Sequence, residues 1–158
     1  MKHKEFNRPE VEKNYIYPFY LVTILFITLS GFGQMPIFKR YYIADIPGLG
    51  WLAKYLITHY IHYVGAVVLL ALVAYQIADY LLLTKKKLKV SLSGLVRGGL
   101  ILGIILTGLL LVIRNTQANP FSLNFIIFLD LSHLTLVLLF LMTSLYCLLL
   151  KKKWTIRR

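Results

Sequence analysis

The sequence predicts an all-α integral membrane four-helix bundle with both termini cytoplasmic. Hydrophobic residues fill 58% of its 158 positions and charged residues 15%, against about 45–50% and about 25% in a soluble domain. Four long apolar runs are present, and each is long enough to cross a hydrocarbon core of about 30 Å, which takes about 20 residues of helix. The formal charge of +12 sits in short clusters between those runs. That distribution belongs to a membrane protein in contact with lipid, not to a nucleic-acid binder. Each run is expected to be helical, because a backbone exposed to lipid has no other hydrogen-bonding partner. We read residues 1–158 as a single membrane domain.

The first uncharged run, Asn14 to Phe38, covers 25 positions and gives a span at about 15–37. It is too long for a signal-peptide core and is followed by no small-residue cleavage site, so it is expected to be retained. Pro18 is expected in the first turns, where its missing donor matters little. The outer loop 38–55 contains MPIFKRYYIADIPGLGW, whose prolines and glycines predict a folded turn structure. The second run, Tyr55 to Ala78, predicts a span at 56–82, and the third, Val90 to Ile113, one at 91–113 interrupted only by Arg97. The pairs Gly94/Gly98 and Gly99/Gly103 in that third span are four apart and predict close helix packing. The loop 114–129 includes an apolar stretch, NPFSLNFIIFLD, expected to lie along the interface. The last span, 130–150, is expected to begin near Asp130.

Orientation follows from Lys and Arg. With both termini inside, 14 of the 18 fall on the inner side and 4 on the outer, as the positive-inside rule requires. The aromatics Tyr15, Tyr17, Trp154, Tyr41, Tyr42, Trp51 and Tyr55 fall at expected interface positions. The single cysteine, Cys147, excludes a disulfide framework and a CxxC site. There is no G-x-S-x-G, HExxH, P-loop or dinucleotide fingerprint, so the chain is expected to carry no substrate chemistry of its own.

Histidines are the chemically informative residues. His3 lies in the basic tail, while His59, His62 and His133 lie in or beside apolar spans, where an ionisable group is costly. Spans two and four run in the same direction. Counted back from Lys85 and Lys151, the basic residues that follow their spans, His62 and His133 are about 8 Å apart in height at about 1.5 Å per residue. The gap narrows if span two ends near Asp79. Two imidazoles at one level on two helices can hold a haem iron. Gly65, on the same helix face as His62, would leave room for a flat macrocycle. Three histidines without a close acid or thiol make a poor zinc site. The halves also look related. Ser30-Gly31 closes span one and His62 follows near the opening of span two, while Thr107-Gly108 closes span three and His133 follows near the opening of span four.

With these residues in view, the chain resembles the four-helix cytochrome b subunits of membrane-bound formate dehydrogenases and nickel-iron hydrogenases. The shared features are the Ser/Thr-Gly ends of spans one and three, HYIHYVGAVVLL opening span two, LTGLLLVIRN closing span three and LSHLTLVLLFL opening span four. The resemblance implies an outer, bis-histidine haem b held by His62 and His133. It also implies an inner haem whose ligands would fall around Tyr15 to Tyr17 and on Cys147, with a related pattern at Tyr75 and Gln76; none of these is histidine, so one haem is expected.

The expectation is a mono-haem membrane subunit of a respiratory oxidoreductase in the inner (cytoplasmic) membrane. It would link an outer redox partner, an iron-sulfur or cytochrome c type subunit, to the quinone pool. Lys39, Arg40, Lys54 and Arg114 are outer cations able to pair haem propionates. The resemblance suggests quinone, and His59, Gln34, Asp130 and Arg114 are the groups to watch for it. His59 could also be the ligand in place of His62. A haem-free membrane anchor or assembly subunit is the alternative.

Overall fold

The computed structural model describes residues 10–35, 37, 42–84, 87–116 and 120–157. They form two compact units, Met1–Leu83 and Thr84–Arg158. Each is built on a helical hairpin.

In unit 1, helix α1 (Glu10–Gly33) packs against helix α2 (Tyr55–Asp79). Two short 3-10 turns, Ile43–Asp45 and Gly50–Ala53, lie between them. Gly48 takes φ 88° in this connection, a conformation that suits glycine. Leu52, on the second turn, is 1% exposed and plugs the end of the hairpin. A side chain on Gly33 would strike it, the nearest atom being Leu52 Cδ2 at 2.9 Å. Thr58, fully buried beside it, bonds back to the carbonyl of Tyr55 at 2.9 Å. Over its described residues, 42–54, the loop is thus the folded turn structure predicted. Beyond Asp79 the helix widens into a π turn, Tyr80–Thr84.

In unit 2, helix α3 (Leu92–Arg114) packs against helix α4 (Leu123–Leu149). Both begin on a serine cap: Ser91 accepts from the Gly94 amide at 3.0 Å and Ser122 from the Phe125 amide at 3.4 Å. Strands β1 (Leu88–Val90) and β2 (Thr155–Arg157) form an antiparallel ribbon, with Lys89 opposite Ile156. The tail reaches that register through the end of α4. Lys151 adopts φ 51°, its amide bonds to Leu148 O at 3.1 Å, and the Lys152 amide bonds to Cys147 O at 2.8 Å. This is a Schellman turn with lysine at the position glycine usually holds. The redirected tail then lies across the start of α3. Ser91 and Ser93 donate to the Lys153 carbonyl at 2.6 and 3.0 Å. A side chain on Gly94 would run into the Trp154 carbonyl. Arg97, 6% exposed, bonds to the carbonyls of Ser93 and Lys152 and lies 4.1 Å over the Trp154 ring. The one charge inside span three is therefore the pin that fastens the tail.

Four segments are long and apolar enough to cross a membrane: Ile16–Gly33, Tyr55–Leu82, Leu92–Arg114 and Leu123–Leu149. Phe19, Leu25, Val67, Leu102, Phe128 and Met142 stand exposed on them. Such surface suits lipid and not water, so the chain is a multi-pass membrane protein.

The helix bounds differ from those expected in two places. Helix α1 starts at Glu10, so Pro18 lies inside it and not in its first turns; the backbone there lacks one donor. Helix α4 starts at Leu123, well before Asp130, so this part of NPFSLNFIIFLD is helical and continuous with the last span. The physical reason is common to both. A charge marks the edge of the hydrocarbon, and a helix can continue past that edge in water or through a paired acid.

Replacing Arg97 with alanine removes two carbonyl bonds and the stack on Trp154. Trypsin should then cut more readily at Lys151–Lys153, and thermal stability should fall by about 1–3 kcal/mol, the penalty for unsatisfied buried groups.

Candidate functional site

The histidines are set by one local arrangement that occurs once in each unit. In unit 1 the end of α1 reads ITLSG, residues 27–31. Ser30 is fully buried and its hydroxyl donates to the Ile27 carbonyl at 3.1 Å. His62 Nδ1 lies 3.1 Å from that same carbonyl and 3.3 Å from Ser30 Oγ. A carbonyl only accepts, so Nδ1 carries the hydrogen and the ring's lone pair is on Nε2. Gly31 makes the approach possible: a β-carbon there would sit 3.2 Å from His62 Cε1.

In unit 2 the matching stretch of α3 reads IILTG, residues 104–108. Thr107 Oγ1 bonds to the Gly103 carbonyl at 2.8 Å and the Ile104 carbonyl at 3.1 Å. His133 Nδ1 lies 2.9 Å from Thr107 Oγ1. With the Thr107 hydrogen on one of these carbonyls, the hydroxyl accepts from Nδ1 and leaves the lone pair on Nε2. A β-carbon on Gly108 would lie 3.4 Å from His133 Cε1. The internal repeat read from the sequence is thus a repeated contact: Ile-x-Leu-Ser/Thr-Gly on the first helix, and an imidazole from the second helix bonded to its hydroxyl.

Helix α2 ends at Asp79 and helix α4 at Leu149. Measured along its own hairpin, each histidine lies about 25 Å from that helix end at about 1.5 Å per residue.

The two units pack beside the histidines in opposite senses. In unit 1 the small residue is on the second helix: the space a side chain on Gly65 would need is filled by Ile27 Cγ1 at 2.6 Å. The room the sequence suggested for a macrocycle at Gly65 is taken up by contact between α1 and α2. In unit 2 the small residue is on the first helix, where Gly103 faces Leu136 at 3.1 Å. Of the four-apart glycine pairs, Gly98 and Gly99 have nothing within 4 Å.

His59 belongs to a second polar group in unit 1. Gln34 donates through Nε2 to the Ser30 carbonyl at 3.3 Å and accepts on Oε1 from His59 Nδ1 at 2.9 Å. The His59 ring is flanked by Tyr55, centroids 5.2 Å apart, and Tyr63, 4.3 Å apart. Through Ser30, this group touches the one that holds His62. Arg114 Nη1 lies 2.8 Å from both carboxylate oxygens of Asp130, and its Nε bonds to Asn115. Lys54 is exposed at the start of α2. Arg40, Lys39 and His3 lie outside the described residues. At the positions where the resemblance implied inner-haem ligands, Cys147 is buried and Tyr17 exposed.

Sequence reasoning found the histidines and hydroxyls but missed the carbonyls of Ile27 and Ile104 and the bond from Gln34 to His59. The identical spacing of the isoleucine and hydroxyl in ITLSG and IILTG was the available signal for the first pair. Among the described residues, no group of three or more His, Cys, Asp or Glu side chains is placed to hold a metal ion; a bis-histidine haem needs only two protein ligands. Compared with protein-family models, curated proteins and solved structures, the chain matches none.

Substituting Gly65 with alanine forces a methyl against Ile27 and should lower thermal stability by about 1–3 kcal/mol, as overpacking does. Gly98→Ala, in open space, should leave stability unchanged or raise it by up to about 1 kcal/mol through helix propensity.

Proposed function

We propose that this chain is a haem b-containing subunit of a respiratory oxidoreductase complex in the inner (cytoplasmic) membrane. It passes electrons between an outer-facing redox partner, an iron-sulfur or cytochrome c type subunit, and the quinone pool. In this reading His62 and His133 are the axial ligands and both termini are cytoplasmic.

The observation that carries the reading is the twin arrangement of hydroxyl and imidazole. In each hairpin Nδ1 is bonded to protein oxygen, which orients the ring and turns Nε2 away from that oxygen. Metal-ligating histidines are usually held in this way, with the second nitrogen donating to a carbonyl or other oxygen. The donor set therefore fits a bis-imidazole haem. A bound haem b supplies one-electron transfer through its iron. The chain's own residues do the rest. Ser30 and Thr107 orient the imidazoles and raise their basicity, and the apolar helices keep the surroundings at low dielectric. Arg114, which gives Nη1 to Asp130, and Arg40 are the outer guanidiniums assigned to haem propionates. His59, flanked by tyrosines and bonded to Gln34, is assigned the quinone headgroup and its proton.

The test is a reduced-minus-oxidised visible spectrum of the purified chain, with a pyridine haemochrome assay for stoichiometry. We expect a b-type band and one haem per chain. His62→Ala and His133→Ala should each lower haem content at least about tenfold, the scale on which metal sites lose affinity. Thr107→Val should keep the haem and raise its reduction potential, because the imidazole loses a hydrogen-bond acceptor and donates less charge. A folded chain without haem would make it a membrane anchor or assembly subunit. Full haem retention in His62→Ala would move the ligand to His59.

A further inference from the structure

The ribbon end of unit 2 is used by none of the chemistry above, and it concentrates charge of one sign. From Thr84 to Arg158 the chain has eleven Lys and Arg and a single acid, Asp130. Nine of the eleven flank the ribbon at 85–89 and 151–158. Asp130 lies on the far part of α4 from Lys151 and is already bonded to Arg114. The described lysines here, Lys87, Lys89, Lys151, Lys152 and Lys153, are all exposed.

The backbone that carries them is built and fastened. The Schellman turn at Lys151 reverses the chain immediately after the last span, Ser91 and Ser93 hold the Lys153 carbonyl, and Arg97 covers one face of Trp154. Lys152 Nζ lies 4.8 Å over the Tyr146 ring, at the last turns of α4. Apolar groups are interleaved with the charges: Trp154 is 40% exposed and Ile156 46%. Leu88, Lys153, Thr155 and Ile156 line a shallow recess. A lysine triplet that follows directly on Leu150, with a tryptophan immediately after it, lies at headgroup depth by chain position.

We infer that this ribbon is a binding surface for the anionic phospholipid headgroups of the leaflet that it meets. Lys151, Lys152 and Lys153 pair with phosphate, while Trp154 and Ile156 enter the top of the acyl region. Charge complementarity and depth select this occupant over an acidic protein, because lipid phosphates are the anions always present where α4 leaves the hydrocarbon. Each lysine near an anionic surface is worth about fivefold in partitioning, and the effect falls with salt.

The test uses the full chain with Trp51→Phe, which leaves Trp154 as its sole tryptophan. The protein is reconstituted in phosphatidylcholine vesicles containing phosphatidylglycerol, and one lipid at a time carries brominated chains. Brominated phosphatidylglycerol should quench Trp154 with a relative association constant at least about fivefold above that of brominated phosphatidylcholine, and added salt should reduce the ratio. Lys151→Gln, Lys152→Gln and Lys153→Gln together should bring the ratio close to one, with helix content by circular dichroism unchanged. Arg97→Ala, which releases the tail, should lower the ratio while leaving all three lysines in place. Equal quenching by both lipids in the parent protein would overturn the inference and leave the basic surface to an acidic protein partner. None of these readouts involves haem, so the outcome is independent of the electron-transfer reading.

Discussion

A polar group placed in hydrocarbon must find its partner inside the protein, and this requirement organises both hairpins. Water is absent there, so polar side chains return bonds to nearby carbonyls of their own hairpin. Thr23 bonds to Phe19, Ser30 to Ile27, Thr58 to Tyr55, Thr107 to Gly103 and Arg97 to Ser93. The residues buried below a tenth exposure include Thr23, Ser30, Thr58 and Arg97 alongside Leu52, Leu129, Phe140 and Cys147. A soluble domain would show almost only the second group. Ser144 Oγ is the one buried side-chain oxygen without a partner among the described residues.

Close approach of the helices follows from the same requirement. His62 can reach Ile27 O only because Gly31 has no β-carbon, and Gly65 lets Ile27 settle between the helices of the same pair. Unit 2 reaches an equivalent contact with the small residue moved to the other helix, at Gly103 opposite Leu136. The position of this second glycine therefore differs between the halves, while the hydroxyl, the glycine after it and the imidazole recur.

Much of this was legible in the sequence. The four spans, the turns of residues 42–54 and the relation between Ser30-Gly31 and Thr107-Gly108 could all be read from hydropathy and spacing. Helix ends were less legible, because charge was used to place them: Glu10 and Asp130 lie inside helices, and Asp130 is stabilised by Arg114, a residue of the preceding helix. The partners of His59 and the tail clamp were not legible at all. Gln34 and His59 belong to different helices, and Arg97 and Lys152 stand at opposite ends of unit 2 in sequence, so neither pairing follows any helical period. Arg97 looked like an interruption of an apolar run, and only the returning tail explains it.

The pairing of each histidine with a hydroxyl of its own hairpin bears on biosynthesis. Helices enter the bilayer in succession, and a lone imidazole delivered into lipid would wait there unsatisfied. Here the helix bearing the hydroxyl precedes the helix bearing the histidine in both halves, so the acceptor is already in place when the ring arrives. Neither half depends on the other to supply the oxygen partner of its histidine. A nascent chain halted after its first hairpin would already hold that ring in its final orientation.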